Sequence, residues 1–171
     1  MTPETTSRTI VVGYDGSAAA LAAVEQSIDR AGPPGRLVIV HAYQVPADYT
    51  GAAYYGFMVN DASDFAAAVL DGLERDCPRL ATVEHERDIS FGAAAPAIVG
   101  AAEVHNADEI ILGSRGVGRV RALLGSVAHD VIHHARCPVT VIPERMVERQ
   151  PRRGSPSPAR AERPFVTARD R

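Results

Sequence analysis

The chain has no lysine: all eighteen basic side chains among its 171 residues are arginines. A phosphate site built around a lysine ammonium is thereby excluded, and charge compensation falls to arginine, main-chain N–H groups or a metal. Tryptophan is also absent, and only nine residues are Phe or Tyr. The core must then come from Ala, Val, Ile and Leu, which suits small helices packed on a parallel sheet. The two cysteines, Cys77 and Cys137, lie far apart without CxxC spacing. That excludes a zinc ribbon or disulfide framework and leaves two small buried thiols. No run approaches the roughly 18 apolar residues of a membrane span. The opening MTPETTSR lacks the apolar region of a signal peptide, so the expectation is a cytoplasmic protein with no membrane partner.

Positive charge is scarce where nucleic acid would need it. The net charge is −3, but residues 144–171 carry eight arginines and four acidic groups, or +4, which leaves −7 for the rest. An acidic body cannot neutralise the phosphates of a duplex, so no nucleic-acid partner is expected. The segment from Glu144 on, with Pro151, Gly154, Pro156, Pro158 and Pro164, has few large apolar residues. It cannot bury enough to offset the entropy of ordering. Two readings stand: a disordered, solvated tail, or an arm for an anionic partner.

What is there is an alternation of apolar runs. Residues 8–14, RTIVVGY, are β-branched and read as a strand, and Ser17 then opens an alanine-rich helix with Leu21, Val24 and Ile28 at helical spacing. Pro33, Pro34 and Gly35 end it. RLVIVHAYQV at 36–45 is a nearly continuous apolar strand, the kind buried on both faces. Residues 46–60 show no clear period, yet Tyr43, Tyr49, Tyr54, Tyr55 and Phe57 are five of the nine aromatics. They belong either to a loop packed over the sheet's end or to a lid over a bound base. Phe65, Val69, Leu73 and Cys77 repeat every fourth residue until Pro78, which predicts a helix. Residues 81–90 carry enough charge for a blunted edge strand. Gly92 and Pro96 lead into a helix through Ile98, Ala102 and His105, with Asn106 as its C-terminal cap. The strand IILG, a helix over 126–135 burying Val127, Val131 and Ala135, and the strand PVTVI close the series. Strand and helix alternate throughout, so right-handed crossovers predict a doubly wound α/β domain with a parallel sheet and helices on both faces.

Residues 109–143 read EIILGSRGVGRVRALLGSVAHDVIHHARCPVTVIP. Gly113 and Gly116 follow an apolar strand, and Gly125 with Ser126 opens an amphipathic helix. Glycine lets a backbone approach a phosphate, and a helix N-terminus favours an anion. Each half taken alone is equally well read as an ordinary turn or an N-cap. Together, with an arginine-bearing loop between and a Pro-flanked strand after, they resemble the universal stress protein family. That family's pattern is a glycine, two residues, a glycine, about nine residues, then Gly-Ser or Gly-Thr. Here the spacer VGRVRALL is one residue shorter. TIVVGYDGSAAALAAV at the start is similar to the family's first strand, acidic residue and first helix, so the likeness covers roughly 8–143, between an extension over 1–7 and the tail over 144–171.

The resemblance implies five parallel strands in the order 3-2-1-4-5, bound ATP, and a homodimer formed through the final strand, 138–143. In such a sheet a ligand sits beyond the strand C-termini where the order reverses, between the first and fourth strands, where Asp15 and Gly113 both lie. The candidate nucleotide site is therefore Gly13, Asp15, Ala42, Leu112, Gly113, Ser114, Arg115, Gly116, Gly118, Arg119, Gly125, Ser126 and Val127. N–H groups of 114–118 and of Ser126 and Val127 would hold phosphates, with Arg115 and Arg119 as bidentate partners. Asp15, repelled by phosphate, belongs near the ribose or base. By resemblance Gly13 and Ala42 line the base pocket. The cofactor expected is ATP, with or without magnesium.

Catalysis is not expected. No GxxxxGK[ST] run exists, a receiver domain would need a lysine near its last strand, and GYDGSAAA after the first strand is not the dinucleotide GxGxxG. Ser126, His129 and Asp130 share one helix but lack a hydrolase's nucleophile elbow. His133 and His134 fit a helix's last turn on dipole grounds alone. The reading is a stress-response sensor or regulator. Two alternatives remain: the same fold without nucleotide, acting through protein contacts, and slow metal-assisted ATP hydrolysis using Asp15.

Overall fold

The structure, a computed structural model, describes residues 7–45, 52–114 and 124–143, with the side chains of 52–54 left aside. Arg115, Gly116, Gly118, Arg119, residues 46–51 and residues 144–171 lie outside the described residues. Strands β1 (Thr9–Gly13), β2 (Arg36–Tyr43), β3 (Glu84–Phe91), β4 (Glu109–Gly113) and β5 (Val139–Ile142) form one sheet, alternating with helices α1 (Ala18–Ala31), α2 (Ala52–Asp76), α3 (Ala94–Val104) and α4 (Ser126–His134). A short 3-10 turn, Pro78–Thr82, leads from α2 into β3. Every pairing is parallel, and the order is β3-β2-β1-β4-β5, as the resemblance implied.

The near-continuous apolar runs arise because the inner strands are covered twice. Ile10, Val12, Leu37, Ile39 and Ile111 pack with Ala20, Ala23, Val24 and Leu70 on the α1/α2 side. Val11, Val38, Val40, Ile110 and Leu112 pack with Ile98, Ala102, Ala128 and Val131 on the α3/α4 side. Alternate residues of one strand thus serve opposite layers. β3 has only exposed and half-buried positions and no fully buried one, which is the pattern of an edge. Asn106, predicted to cap α3, adopts φ 49°, and its N–H donates to the carbonyl of Glu103.

Two expectations are corrected. Helix α2 begins at Ala52, so most of the stretch expected to lack period is helical, and its outward residue Phe57 is 64% exposed. Of the four-residue repeat on its apolar face, Leu73 and Cys77 are buried with Ala66 and Leu70, and Val69 packs against that core, but Phe65 is 70% exposed. The reason is geometric. At about 100° per residue, a step of four overshoots a full turn by about 40°, so three such steps carry Phe65 about 120° away from Cys77. The same drift misplaces α4, where Ala128 and Val131 are buried and Val127 is 37% exposed. Phe65→Asp is accordingly expected to change the unfolding free energy by less than about 0.5 kcal/mol in urea titrations. A loss above about 2 kcal/mol would restore Phe65 to the core.

Candidate functional site

The crevice is made by two turns at the C-terminal ends of adjacent strands. After β1, the N–H of Tyr14 donates to the carbonyl of Val40 at 2.9 Å, so the chain stays zipped to β2 one residue past the strand. Asp15, Gly16 and Ser17 then turn sharply. The Asp15 carboxylate accepts the Ser17 N–H at 3.0 Å, Gly16 takes φ 80°, and Ser17 Oγ caps α1 by accepting the Ala20 N–H at 3.1 Å. Asp15 is half-buried and builds its own turn, a role its sequence position did not disclose.

After β4, the Ser114 N–H donates to the carbonyl of Ile142 at 2.8 Å, and the Gly125 N–H donates to the carbonyl of Ser114 at 2.8 Å. The two ends of the glycine-bearing segment are thereby pinned together beside β1. Gly125 is the N-cap of α4 and no side chain caps that helix. The first N–H groups of a helix have no partner within it, so those of Ser126, Val127 and Ala128 remain for a loop or ligand. Ser126 is exposed, and Ser114 is half-buried.

The glycines divide by what a Cβ would meet. On Gly113 it would stand 2.7 Å from Ala19 C and 2.8 Å from Ala20 N, the backbone of α1's first turn. On Gly13 it would meet the ends of Leu112 at 2.7 Å and Ile98 at 2.8 Å. Both glycines therefore serve helix–sheet packing in the first place. The Leu112 side chain is buried in the α3/α4 layer and can offer a ligand only its main chain. Ala42, half-buried, pairs in register with Ser90 near the end of β2, on the far side of β1 from β4. The described parts of the candidate set thus fall at the ends of β2, β1 and β4 and at the start of α4.

Charge is segregated by the topology. Parallel strands start, and their crossover helices end, at the opposite pole, and Arg8, Arg30, Arg36, Arg75 and Arg136 all sit at strand starts or helix ends. There Glu109, buried in β4, is held by Arg8 at 2.9 Å, Arg30 at 2.5 Å and the Thr140 hydroxyl at 2.5 Å. Among the described residues, none of these five arginines lies at the crevice pole.

Sequence reasoning missed His41 and Tyr14. His41 is buried on β2, and its Nδ1 lies 2.7 Å from the Tyr14 carbonyl, which can only accept, so that nitrogen carries the proton. No local pattern could reveal the pair, because it exists only once β1 lies beside β2. Burial pushes the Tyr14 phenol up to about 12, with Asp76, Asp15 and Cys77 adding to the effect. The neutral phenol is thus favoured in the folded chain. Its contribution is complete below the unfolded value near 10 and is lost as pH rises through about 12. Tyr14→Phe is expected to flatten the fall in urea midpoint over that window, and an unchanged slope would remove Tyr14 as its source. Burial also raises both thiols, Cys77 and Cys137, which suits inert cysteines rather than nucleophiles.

A five-stranded parallel sheet in the order β3-β2-β1-β4-β5, with turns from β1 and β4 leaving at its switch point, defines a doubly wound α/β domain. Residues 6–143 match the model of the universal stress protein family, and the chain belongs to that family. A universal stress protein of Thermus aquaticus is 34% identical over 142 residues, 79% of this chain and 98% of that protein. The structure of a Lactobacillus plantarum universal stress protein is similar with a TM-score of 0.67 at 26% identity, over 79% of this chain and 97% of that one. A universal stress protein solved in complex with cAMP is similar with a TM-score of 0.60 at 26% identity, over 81% and 98% of the two chains.

Proposed function

We propose that this chain binds an adenine nucleotide, ATP, in the crevice beyond β1 and β4, and acts as a stress-response sensor whose occupancy alters its contacts. The observation that carries the reading is the pinning of Gly125 to Ser114 beside the Asp15 turn, which brings main-chain donors from two distant segments to one opening. The cAMP complex of a relative supports an adenine ligand. Phosphates would lie along the N–H groups of 114–118 and of Ser126 and Val127, with Arg115 and Arg119, or magnesium, balancing charge. The base would lie between Gly13 and Ala42, and the ribose near Asp15. Asp15 already spends one carboxylate oxygen on its turn, which suits a positioning role beside the ribose.

β5 is an edge whose interior, Val139–Ile142, carries no charge, and a second copy paired along 138–143 would cover it. No helix among the described residues is long and apolar enough to cross a membrane. Work in the cytoplasm, without nucleic acid or membrane, fits the acidic domain.

Calorimetric titration of the full chain with ATP and magnesium is expected to show one site per chain. Gly116→Val, which would set a side chain against the phosphates, should weaken binding roughly tenfold or more while leaving the melting temperature nearly unchanged. Absence of heat at millimolar nucleotide rejects ATP binding. It would favour the reading as a nucleotide-free member acting through protein contacts, for which the short spacer VGRVRALL speaks.

A further inference from the structure

His129 and His133 stand four residues apart on α4, on the side away from buried Ala128 and Val131, and both are exposed. Their ring centres are 4.5 Å apart, with the planes inclined at 65°. Among the described residues neither imidazole has a hydrogen-bond or ion-pair partner. The neighbouring His134, by contrast, is tied back through Nδ1 to the carbonyl of Asp130 at 2.7 Å. Among the described residues, the pair thus presents unengaged ring nitrogens from two successive turns of one helix.

We propose that His129 and His133 form a bidentate surface site for a late first-row divalent metal, copper(II), nickel(II) or zinc(II), separate from the nucleotide crevice. A metal–imidazole bond of about 2.0–2.1 Å places the ion about 3.2 Å from each ring centre. Two rings bound at a right angle then have centres about 4.5 Å apart, the separation found. Rotation about the broad Cβ–Cγ torsion aims one nitrogen of each ring at a common point without moving the helix. Imidazole favours the later first-row ions over magnesium. No third His, Cys, Asp or Glu completes a cluster among the described residues, so water fills the remaining positions and the site is an open one.

The test uses the full chain free of nucleotide, titrated calorimetrically with copper(II), nickel(II), zinc(II) and magnesium chlorides. One equivalent of each transition metal should bind, copper most tightly, and magnesium should give no heat and leave the nickel titration unchanged. His129→Asn and His133→Asn should each weaken nickel binding about tenfold or more, because a chelate becomes a single ligand, whereas His134→Asn should change it less than about twofold. Nickel should also raise the melting temperature of the parent chain and not of either variant, since the ion spans one turn of native helix. All three positions are solvent-facing, and circular dichroism checks that the variants fold; His129→Gln replaces any that does not. Variants that bind as tightly as the parent, or a His134→Asn loss equal to the others, would overturn the proposal and reduce the pair to an edge-on ring contact.

Discussion

Gly113→Val is expected to lower the unfolding free energy by about 3 kcal/mol. The Cβ alone would sit within 2.9 Å of three α1 atoms, two of them backbone, and a helix backbone cannot rotate aside as a side chain can. Accommodation requires α1 to lift from β4, which loosens the layer holding Ala20, Ala23 and Val24. Gly13→Ala supplies the contrast. Its new methyl meets the ends of Leu112 and Ile98, which can shift rotamer, so a loss of about 1 kcal/mol is expected. Urea titrations of both variants decide the matter. Equal losses would mean that α1 is not locked against β4 as the distances require. The comparison also separates packing from ligand binding, since both measurements need no nucleotide.

Replacing Arg8 and Arg30 together by methionine should also cost about 3 kcal/mol, because it strands the Glu109 carboxylate, only 3% exposed, with the Thr140 hydroxyl as its remaining partner. Glu109→Gln should cost less, about 1 kcal/mol, since the two arginine side chains are 44% and 39% exposed and their guanidinium groups can be hydrated once released. Adding Glu109→Leu to the double arginine variant should recover most of the loss, as an apolar side chain needs no counter-charge. The chain of reasoning fails if the double variant loses under about 1 kcal/mol, or if Glu109→Gln is the worse of the two. Either result would mean that water reaches the carboxylate.

Much of the fold was legible because each inner strand announces itself. ILG after Ile110 and VIV after Leu37 are apolar on both faces only where helices cover both, and Pro33–Gly35 and Pro78 mark where helices end. Helix phase was less legible. Phe65 and Val127 looked like core because a four-residue repeat approximates the helical period, and the error becomes visible only over several turns. Within the candidate site, the sequence reads Gly113 as a place for close phosphate approach, whereas the contact the structure gives it is with α1. Its crowding by Ala19 and Ala20 is a contact across ninety-odd residues that no spacing encodes. His41 and Glu109 were passed over for the same reason: their partners, Tyr14, Arg8, Arg30 and Thr140, come from other strands and helices.

By itself the order of amino acids determined the alternation of strands and helices, the absence of lysine and hence of any lysine-centred phosphate site, and the glycine-serine punctuation of the segment after β4. Those are local properties, set by side-chain volume, branching and backbone freedom within a few residues. Which strands lie side by side, that Asp15 and Ser114 end next to each other, that the described arginines gather mostly at the far pole, and which residue of each helical turn faces inward were decided only by tertiary structure. They depend on the parallel register and the handed crossovers, where burial of both sheet faces selects one arrangement among many that the local pattern allows.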